Sequence, residues 1–332
     1  MRAKISSMNE KKSIEVIGVG LDLGAESLGV SDGPAVFRRL NILDKLSGAG
    51  LEVTDSGDVD CPDRSTLVPG DPMIPYADEI VRVNEALANL VGESIKADKV
   101  PVVLGGDHSV NLGAFAGAAD ALDGKIGLIY IDAHGDINTP ETSASHNIHG
   151  MHLASLMGFG PDVLVDAYRP GRKLAQENLL HVAGSDFDLG EKELIRAQNL
   201  RCFTMFDLLM NGMSPLIQMI DELRARVPNI WVSVDLDAID STYAPGVGIP
   251  SRGGLTYREI AAITEYIGTK CNVVGMDIVE YNPNFDIDDK TGELAIEIIA
   301  KLLGTNYSWY TQYMSCLARQ LIEGPKLYTK LM

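Results

Sequence analysis

Ile126-Gly127-Leu128-Ile129-Tyr130-Ile131-Asp132-Ala133-His134-Gly135-Asp136-Ile137-Asn138 reads as a buried strand that ends in metal-binding chemistry. Alternate residues on an extended backbone point to the same side, so Asp132, His134 and Asp136 converge on one place. Two acids and an imidazole in one cluster are costly unless a cation neutralises them. Two further segments repeat the design. Trp231-Val232-Ser233-Val234-Asp235-Leu236-Asp237 is an apolar strand ending in acids spaced by two. Val102-Val103-Leu104-Gly105-Gly106-Asp107-His108-Ser109 is an apolar strand ending in a glycine turn and a histidine. In open α/β sheets the carboxyl ends of the strands are where ligands bind.

The candidate ligands are therefore His108, Asp132, His134, Asp136, Asp235 and Asp237. Four carboxylates and two imidazoles exceed one tetrahedral zinc site. They suit two divalent cations with bridging carboxylates, and oxygen-rich ligation of this kind favours manganese. None of the three segments contains cysteine, which argues further against structural zinc. Each motif alone has a blander reading, as a glycine turn or a solvated strand end. The case rests on finding all three at strand ends of one chain.

The 332 residues are enough for one large α/β domain or two ordinary ones. With 45% hydrophobic and 22% charged residues the chain has a globular composition. Its net charge of −18 disfavours nucleic acid and anionic membrane surfaces as partners. It is compatible with a small cationic substrate, although the metal-binding acids account for part of it. Cys61, Cys202, Cys271 and Cys316 are scattered, without a Cys-x-x-Cys pair, as in reduced cytoplasmic proteins. Met1 to Ser13 lacks the apolar core of a signal peptide, and no window approaches a membrane span. A cytoplasmic location is the expectation. Of six histidines, His108, His134, His146, His149 and His152 fall in or beside the expected site and only His181 lies apart.

Strand-like and helix-like stretches alternate along the chain. Strands are expected at Ile14–Leu21, Pro101–Leu104, up to Asp132, at Leu179–Ala183, up to Asp235 and at Val273–Val279. Helices are expected at Pro34–Lys45, Tyr76–Ala97, after Ser109, near His149–Met157, and at Glu191–Ala197, Pro215–Ala225, Tyr257–Gly268 and Leu294–Leu303. Such alternation implies a largely parallel central sheet with helices on both faces, a three-layer α/β domain. Ser56–Pro75, rich in acids, prolines and glycines, reads as a long surface loop. The ligand segments span positions 108 to 237, so a single domain over residues 1–332 is the simplest organisation. Residues 1–13 are expected to be a flexible N-terminus, and 307–332 a C-terminal helix and arm.

Taken in order, the motifs resemble the ureohydrolases, most of all arginase. The likeness begins with Ile17-Gly18-Val19-Gly20, Asp22-Leu23-Gly24-Ala25 and Gly33-Pro34. It passes through the three ligand segments and Ser145-His146-Asn147-Ile148-His149-Gly150. It ends with Gly253-Gly254-Leu255-Thr256-Tyr257-Arg258-Glu259 and Asp277-Ile278-Val279-Glu280-Tyr281-Asn282-Pro283. The resemblance implies an arginase-like sheet of about eight strands and a site with two Mn2+ ions per chain. One ion would be held by His108, Asp132, Asp136 and Asp235, the other by His134, Asp132, Asp235 and Asp237, with Asp132 and Asp235 bridging. A metal-bridging hydroxide would then attack a guanidino carbon, L-arginine giving L-ornithine and urea. Catalytic roles fall to Asp136, to His149 as a mobile proton carrier, and to Glu280. A carboxylate at position 280, at the end of the strand Val273–Val279, pairs with a guanidinium and fixes its plane. The resemblance also implies a homo-oligomer, trimeric or hexameric.

By the same resemblance, Asn138, Ser143, Ser145 and Asn147 would receive an α-carboxylate, and Asp188 with Glu191 an α-amino group. Short polar residues in a loop are also plain turn formers. The sequence departs from the family at Ser185, His146, His152 and Ile249, and at Ser27-Leu28. These departures are expected to leave the metal ligands untouched, with His146 and Ile249 lining or bordering the pocket. An agmatinase or a guanidino-acid hydrolase is the alternative. A non-catalytic binding protein of the same fold should have lost ligands, and all six are present. A two-metal phosphatase would need a basic phosphate cradle that the motifs lack.

Overall fold

The computed structural model describes residues 12–305. Its strands are β1 (Ser13–Gly18), β2 (Glu52–Asp58), β3 (Val100–Leu104), β4 (Ile126–Ile131), β5 (Leu179–Gly184), β6 (Cys202–Thr204), β7 (Asn229–Asp235) and β8 (Val273–Val279). They form one eight-stranded sheet in the order β2-β1-β3-β8-β7-β4-β5-β6, every pair parallel. Parallel neighbours need crossover connections, and these carry the helices that cover both faces. Every residue of β3, β4 and β5 is buried.

Two apolar cores follow from strand alternation. Ile129 and Ile131 of β4 join Val232 and Val234 of β7 on one face, under the helices Ser214–Arg226, Tyr257–Lys270 and Lys290–Leu302. Leu128 and Tyr130 face the other side, with Ile80 and Leu87 of the helix Ala77–Lys96 and Phe115 of the helix Asn111–Ala121. Each fully buried Leu, Ile or Phe contributes about 1.5–3 kcal/mol relative to exposure. The second core allows close helix contact. A Cβ at Gly117 would lie 2.2 Å from the Ala88 carbonyl oxygen.

Several expectations change. The helix expected at Pro34–Lys45 is two helices, Gly33–Arg39 and Ile42–Gly48, broken where Asn41 takes a left-handed φ of 59°. The expected loop Ser56–Pro75 begins with the end of β2. That edge strand is polar and mostly exposed because it pairs on one side only, and Asp55 and Asp58 bind Arg38 at 2.8 and 2.6 Å. The three-residue β6 and the helix Met205–Asn211 were not expected. The first strand stops at Gly18 rather than Leu21. Within the expected flexible N-terminus, β1 already starts at Ser13; residues 1–11 and the C-terminal helix and arm lie outside the described residues. No helix among the described residues is long and apolar enough to cross a membrane.

Candidate metal centre and active-site cavity

The sheet order puts β3, β8, β7 and β4 side by side, so their C-terminal ends share one stretch of the sheet edge. There the six expected ligands meet. His108 Nδ1 lies 3.0 Å from Asp132 Oδ2, 3.2 Å from Asp136 Oδ2 and 3.1 Å from Asp235 Oδ2. One ring nitrogen cannot satisfy three carboxylates. Donor atoms ~2.1 Å from one ion and at right angles lie roughly 3 Å apart, which is the spacing found. A second group stands beside it, where His134 Nδ1 is 3.0 Å from Asp237 Oδ2 and 3.6 Å from Asp132 Oδ1. Asp132 thus turns one oxygen to each group. Asp235 joins the inner group, and its other oxygen accepts the Asp237 amide at 2.8 Å.

The donor set fits a pair of cations. Asp132 Oδ2 and Asp237 Oδ1 are buried without a hydrogen-bond partner. Burial, and then the charge of Asp237, pushes Asp235 well above the usual carboxylate range. Burial and the charge of Asp132 push Asp237 up to about 6. Burial opposes a charged imidazole at His108 and His134, but the surrounding carboxylates outweigh it and raise both. Those protons are what divalent cations would displace, so loading releases protons.

Local backbone explains the aim of these groups. Asp136 and Glu280 both take left-handed φ, 53° and 61°, which non-glycine residues rarely adopt. Gly135 between His134 and Asp136 admits no side chain, since a Cβ there would lie 2.6 Å from Glu191 Oε1. Glu280 is fixed from two sides. Its amide donates to the Gly106 carbonyl at 2.8 Å, and its Oε1 accepts the His108 amide at 2.9 Å. The same oxygen is 3.2 Å from His149 Nδ1. Burial opposes protonation of His149, yet the hydrogen bond and charge of Glu280 lift it to about 9.

Beneath the ligands runs a buried polar row that the motifs did not announce. Strand register aligns His181 of β5, Tyr130 of β4, Ser233 of β7 and Asp277 of β8. His108 Nε2 donates to Ser233 Oγ at 2.8 Å, and Ser233 donates to Asp277 Oδ1 at 2.5 Å. Asp277 also accepts from Trp231 Nε1 and Asn111 Nδ2. This network leaves His108 Nδ1 as the metal-facing nitrogen. His181 donates to the His134 carbonyl at 2.6 Å. The sixth histidine therefore also supports the site. Burial and the nearby carboxylates hold the Tyr130 phenol far above its ordinary range, so it keeps its proton. His152 is a correction as well. It was expected to stand clear of the ligands, but its ring lies 3.9 Å from Asp136 Oδ2. Burial, followed by the charge of His108, pushes it down to about 3. Period-two alternation would have found Tyr130 and Ser233, each two residues ahead of a ligand on its own strand.

A cavity of about 230 Å³ opens onto the centre, lined among others by His134, Asp136, Asn138, His149, Asp188 and Glu280. Asn138 Nδ2 donates to Asp188 Oδ2 at 2.8 Å. Glu191 also lines the cavity, and it forms a capping box with Asp188 at the start of the helix Leu189–Gln198. Burial and the Asp136 charge push Glu191 up to about 7. Ile249 and Asp186 line the cavity too, Ile249 as expected and Asp186 unforeseen. Ser143, Ser145 and Asn147 are not among its lining residues, and neither is His146. Ser143 Oγ accepts the His146 amide and Ser145 Oγ the Asn147 amide, contacts that tie both hydroxyls into the loop's own turns as acceptors and keep each O–H proton for another partner.

Buried histidine–aspartate groups able to hold metal, at the C-terminal edge of a parallel sheet, define a metal-dependent α/β enzyme. Residues 12–304 match the family model for the arginase family. An arginase from Bacillus subtilis (strain 168) is 37% identical over 293 residues, covering 88% of this chain and 98% of that protein. The solved arginase from Bacillus caldovelox superposes with a TM-score of 0.86 at 35% identity, over 90% of this chain and all of the other. The Entamoeba histolytica arginase, solved with L-ornithine, gives 0.82 at 28% identity, over 89% of this chain and all of the other. The chain belongs to the arginase family and is a metal-dependent ureohydrolase.

Proposed function

We propose that the protein hydrolyses L-arginine to L-ornithine and urea. The observation that carries this reading is the Asn138–Asp188 pair, bonded at 2.8 Å on the wall of a cavity onto which Glu280 and both metal groups open. His108, Asp132, Asp136 and Asp235 would hold one cation and His134, Asp132, Asp235 and Asp237 the other. The oxygen-rich donor set favours manganese over zinc. The ion pair would supply the acidity that makes a water nucleophilic at neutral pH.

The remaining chemistry belongs to the chain. Glu280, its amide bonded to Gly106 and its Oε1 held by the His108 amide, pairs with the guanidinium and fixes its plane. Asp136, on a strained turn beside the ligands, accepts a proton from the attacking water and passes it toward the leaving amine. His149, protonated beside Glu280, faces the same cavity and can serve that amine. Asn138 offers a neutral donor to the α-carboxylate, and Asp188 with Glu191 offers negative charge to the α-amino group. Ser143, Ser145 and Asn147 would act on substrate only by shaping the loop. The test is urea release from L-arginine and from agmatine, with and without added manganese. Manganese-stimulated hydrolysis that strongly prefers arginine is expected. Equal or better use of agmatine would overturn the arginine reading and leave the family assignment intact.

A further inference from the structure

Three aromatic rings stack behind the inner metal group. Tyr130 lies parallel to His108, with centroids 4.7 Å apart and an interplanar angle of 9°. His152 lies against the other two rings, 4.7 Å from His108 and 5.8 Å from Tyr130. All three residues are fully buried. The Tyr130 hydroxyl is 2.6 Å from Asp136 Oδ2 and 3.0 Å from His108 Nδ1. The phenol has a single proton, and the shorter contact assigns it to Asp136.

His152 stands close enough to His108 and Asp136 to look like a ligand itself. Its Nδ1, however, is 2.6 Å from the His149 carbonyl oxygen. A carbonyl only accepts, so this nitrogen carries hydrogen and has no lone pair for a metal. The other nitrogen, Nε2, is 3.4 Å from the Tyr130 hydroxyl. With its Nδ1 anchored on the His149 carbonyl in the turn Ile148–Gly150, His152 packs against the Tyr130 ring, while the phenol's one proton goes to Asp136.

We propose that Tyr130 and His152 are positioning residues that hold Asp136 for the inner cation, so that they set how tightly that ion, and not the outer one, is retained. The inference rests on the two-cation reading of the site. Asp136 belongs to the inner group only, and its Oδ2 accepts the Tyr130 hydroxyl. A neutral donor at 2.6 Å fixes the carboxylate's orientation and leaves Oδ2, the oxygen that faces His108, a second lone pair for a cation. Outer partners of metal ligands typically change metal affinity 10–100-fold.

The experiment loads full-length protein with Mn2+ and follows both ions by metal analysis after dialysis and by electron paramagnetic resonance. The coupled signal of a manganese pair differs from the signal of a single ion. Tyr130→Phe keeps the ring stack and removes only the donor. Its inner ion should bind roughly tenfold more weakly, giving a one-ion, uncoupled species, with the outer affinity changed less than about threefold. His152→Asn keeps a donor for the His149 carbonyl and loses the contact with Tyr130. It should shift the inner ion the same way by less, and the double variant should add little to Tyr130→Phe. Thermal melting identifies any variant that fails to fold, and the other single variant then decides. Equal weakening of both ions, or none, overturns the proposal. Wild-type protein that never shows a coupled pair overturns the two-cation reading itself.

Discussion

The floor of the cavity and its mouth are built on different principles. On the floor, Asp132 and Asp235 stand at the ends of the buried strands β4 and β7 and Asp237 on the short turn that follows β7, and each lies within 3.1 Å of a histidine nitrogen. At the mouth, Ser145, His146 and Asn147 bond within their own loop, and Ile249 stands half exposed. A side chain on a rigid strand end is held by the whole sheet. One on a loop is held by two or three neighbouring residues and is easily exchanged. The reaction class should therefore reside in the floor, and the choice of substrate in the mouth and walls.

The sharpest way to break this division is on the floor. Asp132→Asn removes the carboxylate shared by both groups, so both ions and at least about a thousandfold of activity should be lost. His134→Ala, which strips only the outer group, should leave about one ion per chain. Metal analysis and urea release check both, and full activity in either variant would remove that residue from the site. Next in size is the wall. Asp188→Ala should lower the preference for arginine over analogues lacking an α-amino group about tenfold to a hundredfold, because a charge-assisted hydrogen bond contributes ~1.5–3 kcal/mol. An unchanged ratio of kcat/KM values would show that the α-amino group is bound elsewhere.

The His149–Glu280 pair lies between floor and mouth and should respond to pH. His149 is raised to about 9, so the pair's contribution is full below ~6.5 and fades as pH rises through about 9. In Glu280→Gln, burial acts without the opposing charge, and the His149 titration should move down, as read by NMR. A titration near 9 in the variant would refute the pairing. The smallest effect belongs at the mouth. Ser145→Ala should change kcat/KM for arginine less than about threefold, since Ser145 is not among the residues that line the cavity. A loss comparable to that of Asp188→Ala would place Ser145 on the substrate.

What escaped the sequence reading has identifiable causes. β2, Glu-Val-Thr-Asp-Ser-Gly-Asp, carries no apolar stripe because it is an edge strand whose side chains meet water and Arg38. β6 is three residues long, too short for any period. The break at Asn41 interrupts an otherwise helical stretch, since the helices on its two sides bury different residues, Phe37 and Ile42. His152 offered no motif of its own, and only folding brings it against Asp136.

The alternation of Asp132, His134 and Asp136, and of Asp235 and Asp237, is local chemistry. Each set follows directly on a single strand, so the sequence alone determined the candidate ligands and the sheet edge they share, while a bend with left-handed Asp136 and a short turn at Asp237, rather than extended alternation, aim the later members. The row His181, Tyr130, Ser233 and Asp277 is different. Its members are spread from position 130 to position 277 and meet only because four strands pair in one register. Register is decided by how apolar faces and crossover helices pack together, and no short window of sequence contains it. Tertiary structure therefore decided which nitrogen of His108 faces the carboxylate cluster, what bonds to Asp136, and which polar residues line the cavity.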